Sequence, residues 1–163
     1  MPMKLFFPVI ALLLTITGCA QHMTLPYAKD AKSACALVVS DERPQPNTIY
    51  ARSIKDNLHI EVSPPIAVAL SSSACSKLTP AQAKKQAQFI VTEFSCTSSG
   101  VLEKRYLVDI RGRLMLPGHA PKNLQASIMG LTNPEHILKG CEETASLIPD
   151  MLSDEIVKSM SAE

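Results

Sequence analysis

The sequence predicts an α+β domain of two layers, a mainly antiparallel sheet of four or five strands with two helices on one face. Three observations predict it. Tyr106, Val108, Ile110, Leu114 and Leu116 alternate with Asp109, Arg111 and Arg113, the period of two of a half-buried strand. Ile66, Leu70, Ala74 and Leu78 recur every fourth residue, one face of a helix. Ile137, Cys141, Ala145, Ile148, Leu152 and Ile156 recur at three and four near the C-terminus, the face of a second and longer helix. Elements with one apolar side must bury it against each other, and helices stacked on one face of a sheet do so.

Composition agrees with a single packed domain. The chain has 163 residues, 46% of them hydrophobic and 19% charged, which is room for one ordinary domain and too apolar for a disordered one. A net charge of +1, four Phe, three Tyr and no Trp provide neither the basic field nor the stacking surface that nucleic acid requires.

In chain order, Leu5 to Thr17 is an apolar run broken only by Pro8 and preceded by Lys4. It is shorter than the roughly 20 residues that cross a bilayer, so residues 1–18 read as a signal peptide. Ile16-Thr17-Gly18-Cys19 resembles the lipobox of bacterial lipoproteins. That resemblance implies diacylglycerylation of the Cys19 thiol, cleavage before it, and acylation of the new amine, typically with palmitate. Three acyl chains anchor stably where one is marginal. Ala20, in place of the Asp that retains such proteins at the inner membrane, implies the periplasmic face of the outer membrane. Residues 19–33 show no periodicity and read as a lipidated tether, and residues 34–163 as the domain. Without Lys4, 15 basic side chains face 15 acidic ones, so attachment to the membrane is expected to rest on the lipid.

Cys35, Leu37 and Val39 begin a strand that stops at Asp41-Glu42-Arg43-Pro44. A second extended stretch from Thr48 to Val62 is broken at Lys55-Asp56-Asn57, with Leu58, Ile60 and Val62 facing one way and His59 and Glu61 the other. Ser63-Pro64-Pro65 reads as a helix start with Ser as the cap. Thr79-Pro80 ends that helix. Strands follow at Phe89 to Cys96, Tyr106 to Leu116 and around Leu124, Ala126 and Ile128, an antiparallel meander with turns at Gly100 and Pro117-Gly118. Asn133-Pro134-Glu135 starts the last helix, which Pro149 is expected to kink or split.

Four cysteines remain beside Cys19: Cys35, Cys75, Cys96 and Cys141. An even number in an oxidising compartment suggests two disulfides, with three possible pairings. If the first helix spans the sheet from end to end, the end of the Phe89 strand and the start of the last helix meet at one end. That pairs Cys96 with Cys141 and leaves Cys35 for Cys75.

The lipobox, the strand with its Val-Val-Ser-Asp-Glu-Arg-Pro ending, the strand and helix from Leu58 to Leu78, and the strands and helix from Phe89 to Met160 resemble small outer-membrane lipoproteins of the YajG type. In outline they are also similar to other two-layer envelope lipoproteins, including LptE, which plugs a transport barrel. The resemblance implies a scaffold or binding role without catalysis.

The residues agree with that expectation. His22, His59, His119 and His136 are scattered, no phosphate loop or nucleophile elbow is present around Ser71-Ser72-Ser73, and the cysteines lack metal-ligand spacing. No catalytic residue, metal or cofactor is expected. The candidate binding surface is the polar side of the central strand, Leu107, Asp109, Arg111, Arg113 and Met115, with Phe89, Val91 and Glu93 beside it. The expected partner is an envelope protein. Replacing Arg111 and Arg113 by Glu is expected to spare folding and weaken its capture. The alternative is a periplasmic inhibitor or a carrier of small ligands or lipid.

Overall fold

A thirteen-residue strand, β5 (Ala87–Ser99), organises the computed structural model. The structure describes residues 22–27, 35–52, 57–99, 104–132 and 136–162; residues 1–18, Cys19, Lys55-Asp56, Gly100 and Asn133-Pro134-Glu135 lie outside them. Antiparallel β6 (Lys104–Met115) covers one edge of β5, and β7 (Lys122–Thr132) continues the meander. The other edge of β5 is divided. There β2 (Leu37–Asp41) runs parallel to Ala87–Val91, and β3 (Thr48–Arg52) runs parallel to Ser95–Thr97. β4 (Asn57–Ser63) pairs antiparallel with β3, and β1 (His22–Thr24) lies parallel to β4. The path β1-β4-β3-β5-β6-β7, with β2 beside β5, makes a mixed sheet of seven strands.

This corrects the expectation of a mainly antiparallel sheet of four or five strands. Alternation shows that a segment is a strand, but not which distant strand it pairs with or in which direction. The His22–Tyr27 segment is a second difference. Where no periodicity was expected, Met23 and Leu25 are each 1% exposed, and burying such side chains contributes on the order of 1.5–3 kcal/mol apiece. Three residues are too few for a period of two to show.

Three helices cover one face. α1 (Ile66–Lys77) packs on β2, α2 (Ile137–Ala145) on β6 and β7, and α3 (Ile148–Ser161) on β7, β6 and α1. Pro149 sits in the first turn of α3, where a missing N–H is tolerated, so the long apolar stripe becomes two helices broken at Ser146-Leu147. Ser63 does not cap α1. It ends β4, its carbonyl accepts the Leu25 N–H at 2.7 Å, and Pro65 precedes the helix after a cis Ser63–Pro64 bond. Phe89, Phe94, Leu70, Ile110, Leu152 and Ile156 fill the space between the layers.

Two disulfides cross that space. Cys35 is bonded to Cys75, joining the approach to β2 to α1, and Cys96 to Cys141, joining β5 to α2. They bridge 40 and 45 residues, and loops of that length restrict the unfolded chain by about 4 kcal/mol each in the chain-entropy account.

Candidate functional site: the uncovered face of the sheet

Opposite the helices the sheet has no covering layer among the described residues. A bulge decides which β5 side chains reach this face. Val91 pairs with Gly112 and Glu93 with Arg111, so Thr92 is one residue too many and the alternation of β5 changes phase there. Before it, Phe89 and Val91 point to the helices and are fully buried; after it, Phe94 and Cys96 do. Phe89 and Val91 therefore leave the candidate surface, while Glu93 and Ser95 belong to it.

Leu107, Asp109, Arg111, Arg113 and Met115 do share this face of β6. They are not equivalent. Asp109 is only 3% exposed, because neighbours close over it. Gln125 Nε2 donates to its Oδ1 at 2.6 Å, the Ser127 hydroxyl donates to the same oxygen, and Arg111 Nε lies 2.7 Å from Oδ2. Arg111 also reaches Glu93 at 3.3 Å, and Ser95 Oγ donates to Glu93 at 3.3 Å. A buried carboxylate is costly unless it is paired and hydrogen-bonded, and here β6 itself and β7 supply the partners. Arg113 lies exposed one row away, with no ion pair among the described residues.

Apolar groups flank this network along the strands. Leu107 faces Met129 and Arg105 faces Leu131 across the β6–β7 pair; Met129 and Leu131 are both 66% exposed. At the other end Val38, Gln88 and Met115 share a row, and Val38 is also exposed. Met129 and Leu131 were not among the expected residues, although two apolar side chains on the polar side of β7 were visible in its alternation.

Near β3 the loop after β2 overhangs the face. Arg43 holds it: Nε and Nη2 donate to the two Asp41 carboxylate oxygens at 2.7 and 2.6 Å, and Nη1 donates to the carbonyls of Thr48 at 2.7 Å and Phe94 at 3.4 Å. The Asn47 N–H also donates to Asp41 at 3.0 Å. Burial acts to raise the Asp41 carboxyl, but the Arg43 hydrogen bonds and charge and the Asn47 N–H overcome it and hold the group below the ordinary carboxylate range. Beneath this loop, Pro44, Gln45, Tyr50, His59 and Glu93 border a hollow of about 310 Å³. The rings of His59 and Tyr50 are 5.1 Å apart.

The other chemically capable side chains are engaged structurally. Ser73 donates to Asp150 and Lys77 reaches Asp154 at 2.8 Å, both joining α1 to α3. The Ser73 bond, acting against desolvation, holds the Asp150 carboxyl low, whereas burial and then the Asp150 charge push up the Tyr27 hydroxyl. His22 pairs with Glu61 at 3.0 Å. The four His lie on β1, on β4, after β6 and before α2. Among the described residues no cluster of His, Cys, Asp and Glu suits a metal ion, and no helix is long and apolar enough to cross a membrane.

No family model and no curated protein matches the chain. Solved structures do. Protein XCC0632 of Xanthomonas campestris is 11% identical, with a TM-score of 0.50 over 85% of this chain and 90% of that one, a likeness of fold alone. Rare lipoprotein B of Shewanella oneidensis is 13% identical, with a TM-score of 0.45 over 77% and 93%. A minor lipoprotein of Acinetobacter baumannii is 15% identical, with a TM-score of 0.39 over 78% and 91%.

Proposed function

We propose that this chain is a lipid-anchored, non-catalytic binding or assembly module of the bacterial cell envelope. Acyl chains on Cys19 hold it on the periplasmic face of the outer membrane, and an envelope protein docks on the uncovered face of its sheet. The observation that carries the reading is the composition of that face. Exposed Met129, Leu131 and Val38 lie at the two ends of a fixed network of Asp109, Arg111 and Glu93. Apolar patches bordered by ordered polar groups are what protein interfaces bury. The lipobox supports the address, and the YajG resemblance supports a role of this kind.

The test is crosslinking in cells from a photoreactive residue in place of Met129 and, separately, of Lys158 on the outer surface of α3. One stoichiometric adduct from position 129, identified by mass spectrometry of solubilised outer membrane, is expected, with none from position 158. Arg113→Glu should reduce its yield several-fold. Equal adducts from both positions, or none from position 129, would remove this face from consideration.

One observation favours a second reading. The hollow beside Tyr50 and His59, at about 310 Å³, is at the lower end of ligand-site volumes, whereas the space between sheet and helices is filled. Saturable binding of a fluorescent fatty acid at micromolar concentration, lost in Tyr50→Ala, would favour a small-ligand carrier.

A further inference from the structure

Building on the reading of Cys19 as the lipidated residue, we propose that the β1–β4 edge faces the bilayer and that the sheet stands edge-on to it, with β7 as the far edge. A chain spans at most about 3.6 Å per residue, so the three steps from Cys19 to His22 allow about 11 Å. Beyond that point there is no slack. His22, Met23 and Thr24 pair with Glu61, Val62 and Ser63, Met23 and Leu25 are buried in the core, and the Leu25 N–H bonds to Ser63. The domain therefore cannot move off the membrane without stripping β1 from the sheet.

Strands lie about 4.8 Å apart, and the five steps from β1 to β7 place the far edge about 24 Å away across the sheet. Charge gives no reason to lie flat. The chain after residue 18 carries 15 basic and 15 acidic side chains, and the uncovered face pairs Arg111 with its own carboxylates. Edge-on, Met129 and Leu131 are presented to the compartment, where a protein partner reaches them.

The test uses the lipidated protein in vesicles of phosphatidylethanolamine and phosphatidylglycerol, three to one, carrying a head-group nitroxide lipid. A fluorophore is attached at Thr24→Cys or Leu131→Cys, both exposed sites. Quenching at position 24 should exceed that at position 131 several-fold. Equal quenching would mean that the sheet lies flat, and stronger quenching at position 131 that it tips onto β7; either overturns the proposal. Inserting ten Gly and Ser residues between Ala20 and Gln21 extends the reach to over ~40 Å and should erase the difference. A difference that survives the insertion would overturn the reach argument. Intact mass separates the two ideas: a chain without lipid on Cys19 that does not float with vesicles sinks the anchoring reading itself, whereas a lipidated chain quenched equally at both sites sinks only the orientation.

Discussion

The two edges of β5 are held by different means. On one, β6 pairs from Gln88 to Ser99 and the ladder needs only the bulge at Thr92. On the other, β2 and β3 share the edge, and between them the Phe94 carbonyl takes the Arg43 guanidinium instead of a strand. A continuous ladder distributes its stability over many main-chain bonds. A divided edge concentrates it in one ion pair, whose side chains are 9% and 4% exposed for Arg43 and Asp41. The divided edge should therefore be more sensitive to a single side chain than the longer continuous edge.

The largest expected effect follows from breaking that pair. Arg43→Met leaves Asp41 buried without its partner, a loss of about 3–5 kcal/mol, measured as a shift of the urea midpoint. Acid sharpens the test. Because the folded Asp41 carboxyl is held below its ordinary value, its contribution is fully present above about pH 3.9 and is lost as pH falls through the folded value. The penalty of Arg43→Met should be full at pH 6 and shrink below about pH 4. A penalty that stays constant down to about pH 2.5 would mean that Arg43 acts through the Thr48 and Phe94 carbonyls alone.

The continuous edge has its own point of failure, expected to be smaller. A Cβ on Gly112 would lie 2.3 Å from the Phe89 ring and 2.5 Å from the Ile90 carbonyl, so either the ring or β5 itself must move. Gly112→Ala should cost about 1–3 kcal/mol, the range of overpacked cores. A melting temperature within about a degree of the wild type would show that β5 and β6 yield more easily than a continuous ladder should.

The same contrast governs what could be read from the sequence. The β6 strand, the α1 stripe and the break near Pro149 were legible because each is a local pattern in which the residues that define the element are the ones it buries. The placement of Leu107, Arg111, Arg113 and Met115 on one face follows from that alternation. The pairing of β2 and β3 with a strand far down the chain was not legible, since Leu37 and Ile49 would look alike beside any neighbour. Thr92 is an unremarkable strand residue, yet as a bulge it puts Glu93 on the uncovered face while Val91, two residues before, points to the helices. Met23 and Leu25 form too short an alternation to stand out from a tether. For the candidate site, the face was legible and the partnering within it was not, because the burial of Asp109 depends on Gln125 and Ser127 of the next strand.

Partnering separates two arginines that the sequence treats alike. Arg111 bridges Asp109 and Glu93, and with its side chain 50% exposed the solvent screens part of the interaction. Arg111→Gln should cost about 1–2 kcal/mol, mostly from the buried Asp109 left short of a partner. Arg113 has no such role, and Arg113→Gln should stay within about 0.5 kcal/mol of the wild type, as surface substitutions do. Replacing both by Glu, expected from the sequence to spare folding, would instead set a third carboxylate beside Asp109 and Glu93. Arg113 is thus the residue for separating binding from folding. Equal stability losses for the two glutamine variants would mean that the network does not hold β5, β6 and β7 together, and that Asp109 is satisfied by Gln125 and Ser127 alone.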